Sequence, residues 1–194
     1  MTFLNPPEIT TEVEKLYADD IAEDGYVMNV SLIWGYRPSL QEGLFGLLRD
    51  ITKEYELTMR QRGILVAACA SAFGDSYCAL KWGTRLAAES DTRTASEVLR
   101  GEDIGLSDAE RAMAAWARKV ARDPNAVVEA DVQRMRDCGW EDAEIFAITV
   151  FVALRIAFST VNDALGARPD AGLRQTTPPD ILEAVTFGRP IADG

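Results

Sequence analysis

Apolar residues recur at steps of three and four along most of this chain and almost nowhere alternate with polar ones. That period belongs to helices that bury one face. Ser or Thr followed three residues later by Glu or Gln, a pairing that caps the free N–H groups of a helix start, occurs at Thr11/Glu14, Ser39/Glu42, Thr58/Gln61, Thr94/Glu97 and Ser107/Glu110. No Asn-Gly or Asp-Gly turn joins two strand-like runs. The pattern predicts an all-α protein with helices over 11–22, 28–36, 39–52, 58–73, 75–90, 94–100, 107–121, 129–138, 141–165 and 178–187.

Two of these segments lack a polar face: GILVAACASAF, residues 63–73, and EIFAITVFVALRIAF, residues 144–158. Helices of this kind belong at the centre of a fold or in a subunit interface, and two of them in one chain predict a homo-oligomer. Arg155 interrupts the second run, which predicts either a salt bridge that fixes helix packing or a clamp for substrate. The GEDIG stretch, residues 101–105, is the expected internal boundary; the chain reads as one domain over 1–194 or as two halves, 1–100 and 106–194. The RQTTPPD segment and the PIADG end are expected to be loosely attached or engaged with a partner.

Composition narrows the function classes. With 47% hydrophobic and 26% charged residues, the chain has material for a sizeable core. A formal net charge of −11 works against binding the phosphate backbone of nucleic acid, so no such partner is expected. Cys69, Cys78 and Cys138 form no disulfide framework, which predicts a reducing, cytoplasmic setting. The start MTFLNPPEITTEVEK has no basic stretch and no apolar run, so no signal peptide is expected. The apolar run 145–154 falls well short of the roughly 20 residues a membrane span needs, so it is expected in the core, with no membrane partner. Histidine is absent, which removes the commonest general base and zinc ligand, and neither a metal nor a cofactor is expected. Acid and base work falls to Asp, Glu, Lys, Tyr or Cys.

The sharpest chemical feature is Cys78. Gly74 ends one predicted helix and Asp75 caps the next, which puts Ser76, Tyr77 and Cys78 in a first turn. Free N–H groups and the positive end of the helix dipole favour a thiolate there. Cys78, Lys81, Trp82 and Arg85 share a face at steps of three and four, and two cations on that face are expected to lower the thiol pKa, while Asp75 raises it. The plainer reading is a buried cysteine acting as a small hydrophobe, which is also the expectation for Cys69 and Cys138.

The run RQRGILVAACASAFGDSYCALKWGTRLA resembles the core helix pair of the alkylhydroperoxidase D and carboxymuconolactone decarboxylase superfamily, whose thiol members carry E-x11-C-x-x-C-x-x-x-H. The stretch from LSDAERAMAAWARKVA through GWEDAEIFAITVF, with VSLIWGYRPSLQEGLFGLL upstream, is similar to the peroxidase-related branch, so the resemblance spans roughly residues 27–169. It implies an all-α, AhpD-like helical bundle that assembles as a homo-oligomer. Carried over position by position, the attacking cysteine falls on Cys78, the resolving cysteine on Asp75, the glutamate on Gly63 and the histidine on Trp82, so only the nucleophile is kept. Trp82 is expected to fill space that the family's pocket leaves for substrate.

Three functions follow as alternatives. The first is a one-cysteine peroxidase that reduces small organic hydroperoxides through Cys78, with Lys81 or Arg85 steadying the thiolate, Lys81, Tyr77 or water giving the proton, and an external thiol as reductant. The second is a family member without redox chemistry that binds an apolar small molecule or serves as a structural oligomer. The third is a different reaction run by carboxylates and Arg155.

Overall fold

The structure, a computed structural model, describes residues 2–193. Among these residues there are eleven α-helices, one short 3-10 turn and no strand. In chain order they are α1 Thr11–Asp24, α2 Asn29–Trp34, α3 Pro38–Glu54, α4 Met59–Phe73, α5 Ser76–Glu89, α6 Thr92–Arg100, α7 Asp108–Arg122, α8 Glu129–Asp137, α9 Asp142–Ala164, α10 Leu173–Thr176 and α11 Pro179–Ala184. The 3-10 turn, Pro124–Ala126, and α10 are too short for the periodicity of the sequence to reveal.

Helix α4 is the axis of the bundle. Thr58 and Gln61 form the expected capping box at its start, and Gly74, in the left-handed region at φ 89°, ends it. Every residue from Gly63 to Ala70 is buried, and α5, α6, α7 and α9 all pack around the helix. Gly63 suits this close packing. A Cβ there would stand 3.0 Å from the Cβ of Leu86, tighter than ordinary contact, so Leu86 would have to give by a few tenths of an ångström. Ser107 and Glu110 form the second expected box, at α7. The other three predicted boxes are displaced: α1 is capped by Thr10, α3 starts at Pro38 without a side-chain cap, and α6 is capped by Asp91, whose two oxygens take the N–H and the hydroxyl of Thr94.

The loop at residues 101–105 is bolted down rather than free. Buried Arg118 of α7 donates to both oxygens of Asp103, at 2.6 and 2.7 Å, and to the carbonyl of Val98 at 2.8 Å. Arg60 of α4 pairs with Glu110 of α7 at 2.6 Å, and these two helices from either side of the loop share an extensive interface. The C-terminal segment is also fastened within the chain, whereas the sequence predicts loose attachment or engagement with a partner. Ser76 Oγ donates to the Arg189 carbonyl at 2.7 Å, and the Ala192 N–H donates to the Pro169 carbonyl at 2.8 Å.

Helix α9 is long and apolar enough, by length and composition, to cross a membrane. One side of it, including Ile145, Ile148, Phe151, Val152 and Phe158, packs into the core, whereas Phe146, Ala153 and Ala157 face outward. Its far end carries the docking of the N-terminal helices. Trp34 of α2 stacks on Phe158 with ring centres 5.4 Å apart and donates its indole N–H to Asn162 at 2.9 Å, while Phe45 of α3 meets Phe158 edge-on at 5.2 Å. That docking roofs the space between α5 and α9.

Candidate functional site

The local sequence Gly74-Asp75-Ser76-Tyr77-Cys78 turns one helix into the next and leaves the thiol as the third residue of α5. The Cys78 N–H donates to Asp75 Oδ1 at 2.9 Å, so the capping carboxylate lies beneath the thiol's own turn. From the opposite wall, α9 presents Arg155 and Ser159, one turn apart. Arg155 Nη2 donates to Cys78 Sγ at 3.2 Å, and Ser159 Oγ lies 3.8 Å from the sulfur while donating to Asp75 Oδ2 at 2.5 Å. Asp75, Ser159, Cys78 and Arg155 thus form a closed polar group between two helices.

Cys78 is buried, at 3% exposure, and forms part of the floor of a cleft of about 240 Å³ whose walls include Met28, Phe45, Trp82 and Phe158. Burial pushes its thiol well above the ordinary cysteine range, the charge of Asp75 adds to this, and Arg155 and then Ser159 pull in the other direction. The expected lowering by Lys81 and Arg85 does not occur. Both reach the cleft, but the Lys81 ammonium is held by Asp24 at 2.6 Å and the Arg85 guanidinium by Glu23 at 2.8 Å and by the face of Trp82. Tyr77 likewise gives its hydroxyl to Asp170 rather than to the sulfur, and burial raises its phenol well above the usual value.

The cation on the sulfur is Arg155. It is 3% exposed, forms no ion pair among the described residues, and its Nε has no hydrogen-bond partner. The salt bridge anticipated for it is absent. Instead its guanidinium carbon lies 5.2, 5.4 and 5.9 Å from the ring centres of Phe158, Trp82 and Phe45. Each such aromatic face contributes about 0.5–2 kcal/mol to a cation, so the three rings offset part of the several kcal/mol that stripping water from the charge costs, without supplying an anion. Trp82 therefore does more than occupy the space of a histidine: it is one wall of the arginine's cage, and the cleft persists beside it. Gly63 sits at the α4–α5 contact and brings no side chain to the thiol.

The sequence marked Cys78, Asp75 and Arg155 but did not join Arg155 to the thiol 77 residues earlier, and it missed Ser159. One signal was present. In the apolar α9, Arg155, Ser159, Asn162 and Asp163 recur at steps of four, three and one, a polar stripe along an otherwise apolar helix. Asp163 continues that stripe, and burial together with the charge of Asp75 pushes its carboxyl up to about 7, opposed by Arg189. The other two thiols stand apart: Cys69, in α4, is pushed up to about 12 by burial, and Cys138, at the end of α8, is partly exposed. All three are free, and among the described residues no group of three or more Cys, Asp or Glu is placed to hold a metal ion.

No family model matches the chain, and no curated protein is significantly similar to it. Solved structures do match. An uncharacterized peroxidase-related protein from Ralstonia eutropha JMP134, with an alkylhydroperoxidase AhpD core, superposes with a TM-score of 0.77 at 22% identity, over 96% of this chain and 97% of that one. An uncharacterized peroxidase-related protein from Silicibacter sp. TM1040 gives a TM-score of 0.76 at 21% identity, over 88% and 92% of the two chains. The debrominase Bmp8, in a cysteine-to-alanine variant complexed with 2,3,4-tribromopyrrole, gives 0.71 at 17% identity, over 89% and 95%. At these identities the likeness establishes the fold: this chain has the all-helical AhpD core architecture.

Proposed function

We propose that the protein is a single-cysteine thiol enzyme that reduces small organic hydroperoxides through Cys78. The observation that carries the reading is Arg155, a buried guanidinium with no ion pair among the described residues, held 3.2 Å from the one thiol that faces the cleft. A thiolate places an anion in direct contact with this charge, which offsets part of the burial cost that holds the thiol neutral. Asp75 takes the thiol proton, directly or along Ser159 Oγ, in the role that histidine fills elsewhere. The thiolate attacks the terminal oxygen of the hydroperoxide. The O–O bond breaks, sulfur is oxidised to sulfenic acid, and the departing alkoxide recovers the proton from Asp75 as it becomes an alcohol. With Asp75 standing three residues before the nucleophile, no cysteine of this chain resolves the sulfenic acid there. Two equivalents of an external thiol restore it through a mixed disulfide, releasing water, and a reducing cytoplasm supplies such thiols.

The walls of Phe45, Trp82 and Phe158 suit a flat, apolar substrate, and the neighbouring debrominase fold is seen with a flat brominated ring. Cumene hydroperoxide with dithiothreitol is the assay to begin with. Turnover is expected in the native protein and none in Cys78→Ser; retained turnover in that variant overturns the thiol mechanism. Because the thiol pKa is raised by burial, activity and iodoacetamide labelling are expected to climb with pH through and above the ordinary thiol range.

A second reading, that of a binding protein without redox chemistry, is favoured by the same burial of Cys78. Its signature is tight retention of a flat ligand with no peroxide consumed at any pH up to 10. In either case we propose that the outward faces of α3 and α9, with Leu40, Leu47 and Phe146 exposed, join copies of the chain; a monomer by light scattering would refute this.

A further inference from the structure

A second groove adjoins the thiol cleft on the far side of Arg155. It measures about 440 Å³, and Phe45, Trp82, Arg85 and Arg155 form the wall that the two spaces share. Its remaining apolar lining comes from Leu48, Met59 and Phe151. Around this floor stand five cations, Arg49, Lys53, Arg62, Arg85 and Arg155, and not one carboxylate. That is the reverse of the molecule as a whole, which carries 31 acidic against 20 basic residues.

Most basic side chains of this protein are spoken for by carboxylates, but the groove gathers exceptions. Arg49 and Arg85 pair with Glu42 and Glu23 in exposed bridges, of the kind that contributes little. Lys53, Arg62 and Arg155 form no ion pair among the described residues, and the Nε atoms of Arg62 and Arg155 are buried with no hydrogen-bond partner. Guanidinium groups left short of partners beside an apolar floor present the fork that a carboxylate fills. A space of this size accommodates a small organic molecule.

We propose that this groove binds an organic carboxylate with a flat or chain-like apolar body, the acid held by Arg62 and Lys53 and the body lying on Leu48 and Phe151. The site goes beyond the thiol chemistry and does not depend on it. Its test reads binding alone, in Cys78→Ser protein, so its failure and that of the peroxidase reading are told apart. Calorimetric titration with 2-naphthoate and with its neutral analogue 2-naphthamide is expected to give at least roughly tenfold tighter binding of the acid. Arg62→Gln is expected to remove most of that preference, and Lys53→Gln, at an exposed position where folding is safe, a smaller part. Equal affinities for acid and amide, no binding of the acid, or a preference untouched by either variant overturns the proposal.

Discussion

Arg118 and Arg155 are both buried, at 8% and 3% exposure, but the two helices that carry them treat the charge in opposite ways. Arg118 is clasped by both oxygens of Asp103 and by a backbone carbonyl, and its work is to fasten the 101–105 loop to α7. Arg155 faces three aromatic rings and a neutral thiol. A matched charge stabilises geometry, whereas an unmatched one stores a demand for an anion, and that demand sits where the molecule has a cleft. Under the proposed function, the difference separates an arginine that fastens a loop from one that serves the thiol.

Stability should expose the contrast most strongly at Arg118. Removing one partner of a buried pair leaves the other charge stranded, so Arg118→Ala is expected to lose about 3–5 kcal/mol of folding stability in urea denaturation, with Asp103 left at its positive φ of 52° and without its anchor. The matching change at the other pole is Arg155→Met, which keeps much of the volume and removes a charge that has no carboxylate. Its expected cost to stability is below about 1.5 kcal/mol, while thiol alkylation at neutral pH slows roughly 10- to 100-fold, because the group that favours the thiolate is gone. If Arg155→Met unfolds the protein as severely as Arg118→Ala while leaving the alkylation of any surviving folded fraction unchanged, the two arginines are alike and the comparison fails.

How far the sequence foretold these two regions depends on the range of the interaction. Capping at Thr58, Asp75 and Ser107 is local, spanning three residues, and it located α4, α5 and α7 within a residue or two. At the start of α1 the spacing from Thr11 to Glu14 pointed to Thr11, whereas Thr10, one residue earlier, is the cap. Cys78 fell in a first turn for the same local reason. Its electrostatics did not follow, because the spacing of three and seven residues that put Lys81 and Arg85 on its face says nothing about Asp24 and Glu23, which arrive from α1 and take both cations. The sulfur's actual partner comes from α9, and only tertiary packing sets that meeting. A resemblance in the helix pair pointed to the bundle but could not tell which groups meet Cys78; the polar stripe of α9 contains two of them, Arg155 and Ser159.

That stripe ends at Asp163, whose effect is the smallest and the most readily separated by pH. Burial and the charge of Asp75 hold its carboxyl up at about 7, against the weaker pull of Arg189, whereas an unfolded aspartate titrates near roughly 4. As pH rises from about 4, the unfolded chain sheds this proton while the folded chain keeps it, so stability falls until about 7 and the loss is then complete. Asparagine cannot ionise. Asp163→Asn is therefore expected to match the native protein in urea denaturation near pH 4 and to exceed it by roughly 1–2 kcal/mol at pH 8, a figure discounted for the residue's partial exposure. Equal stability at pH 8 would mean that Asp163 ionises without penalty, and that the polar side of α9 is better solvated than the unpaired state of Arg155 implies.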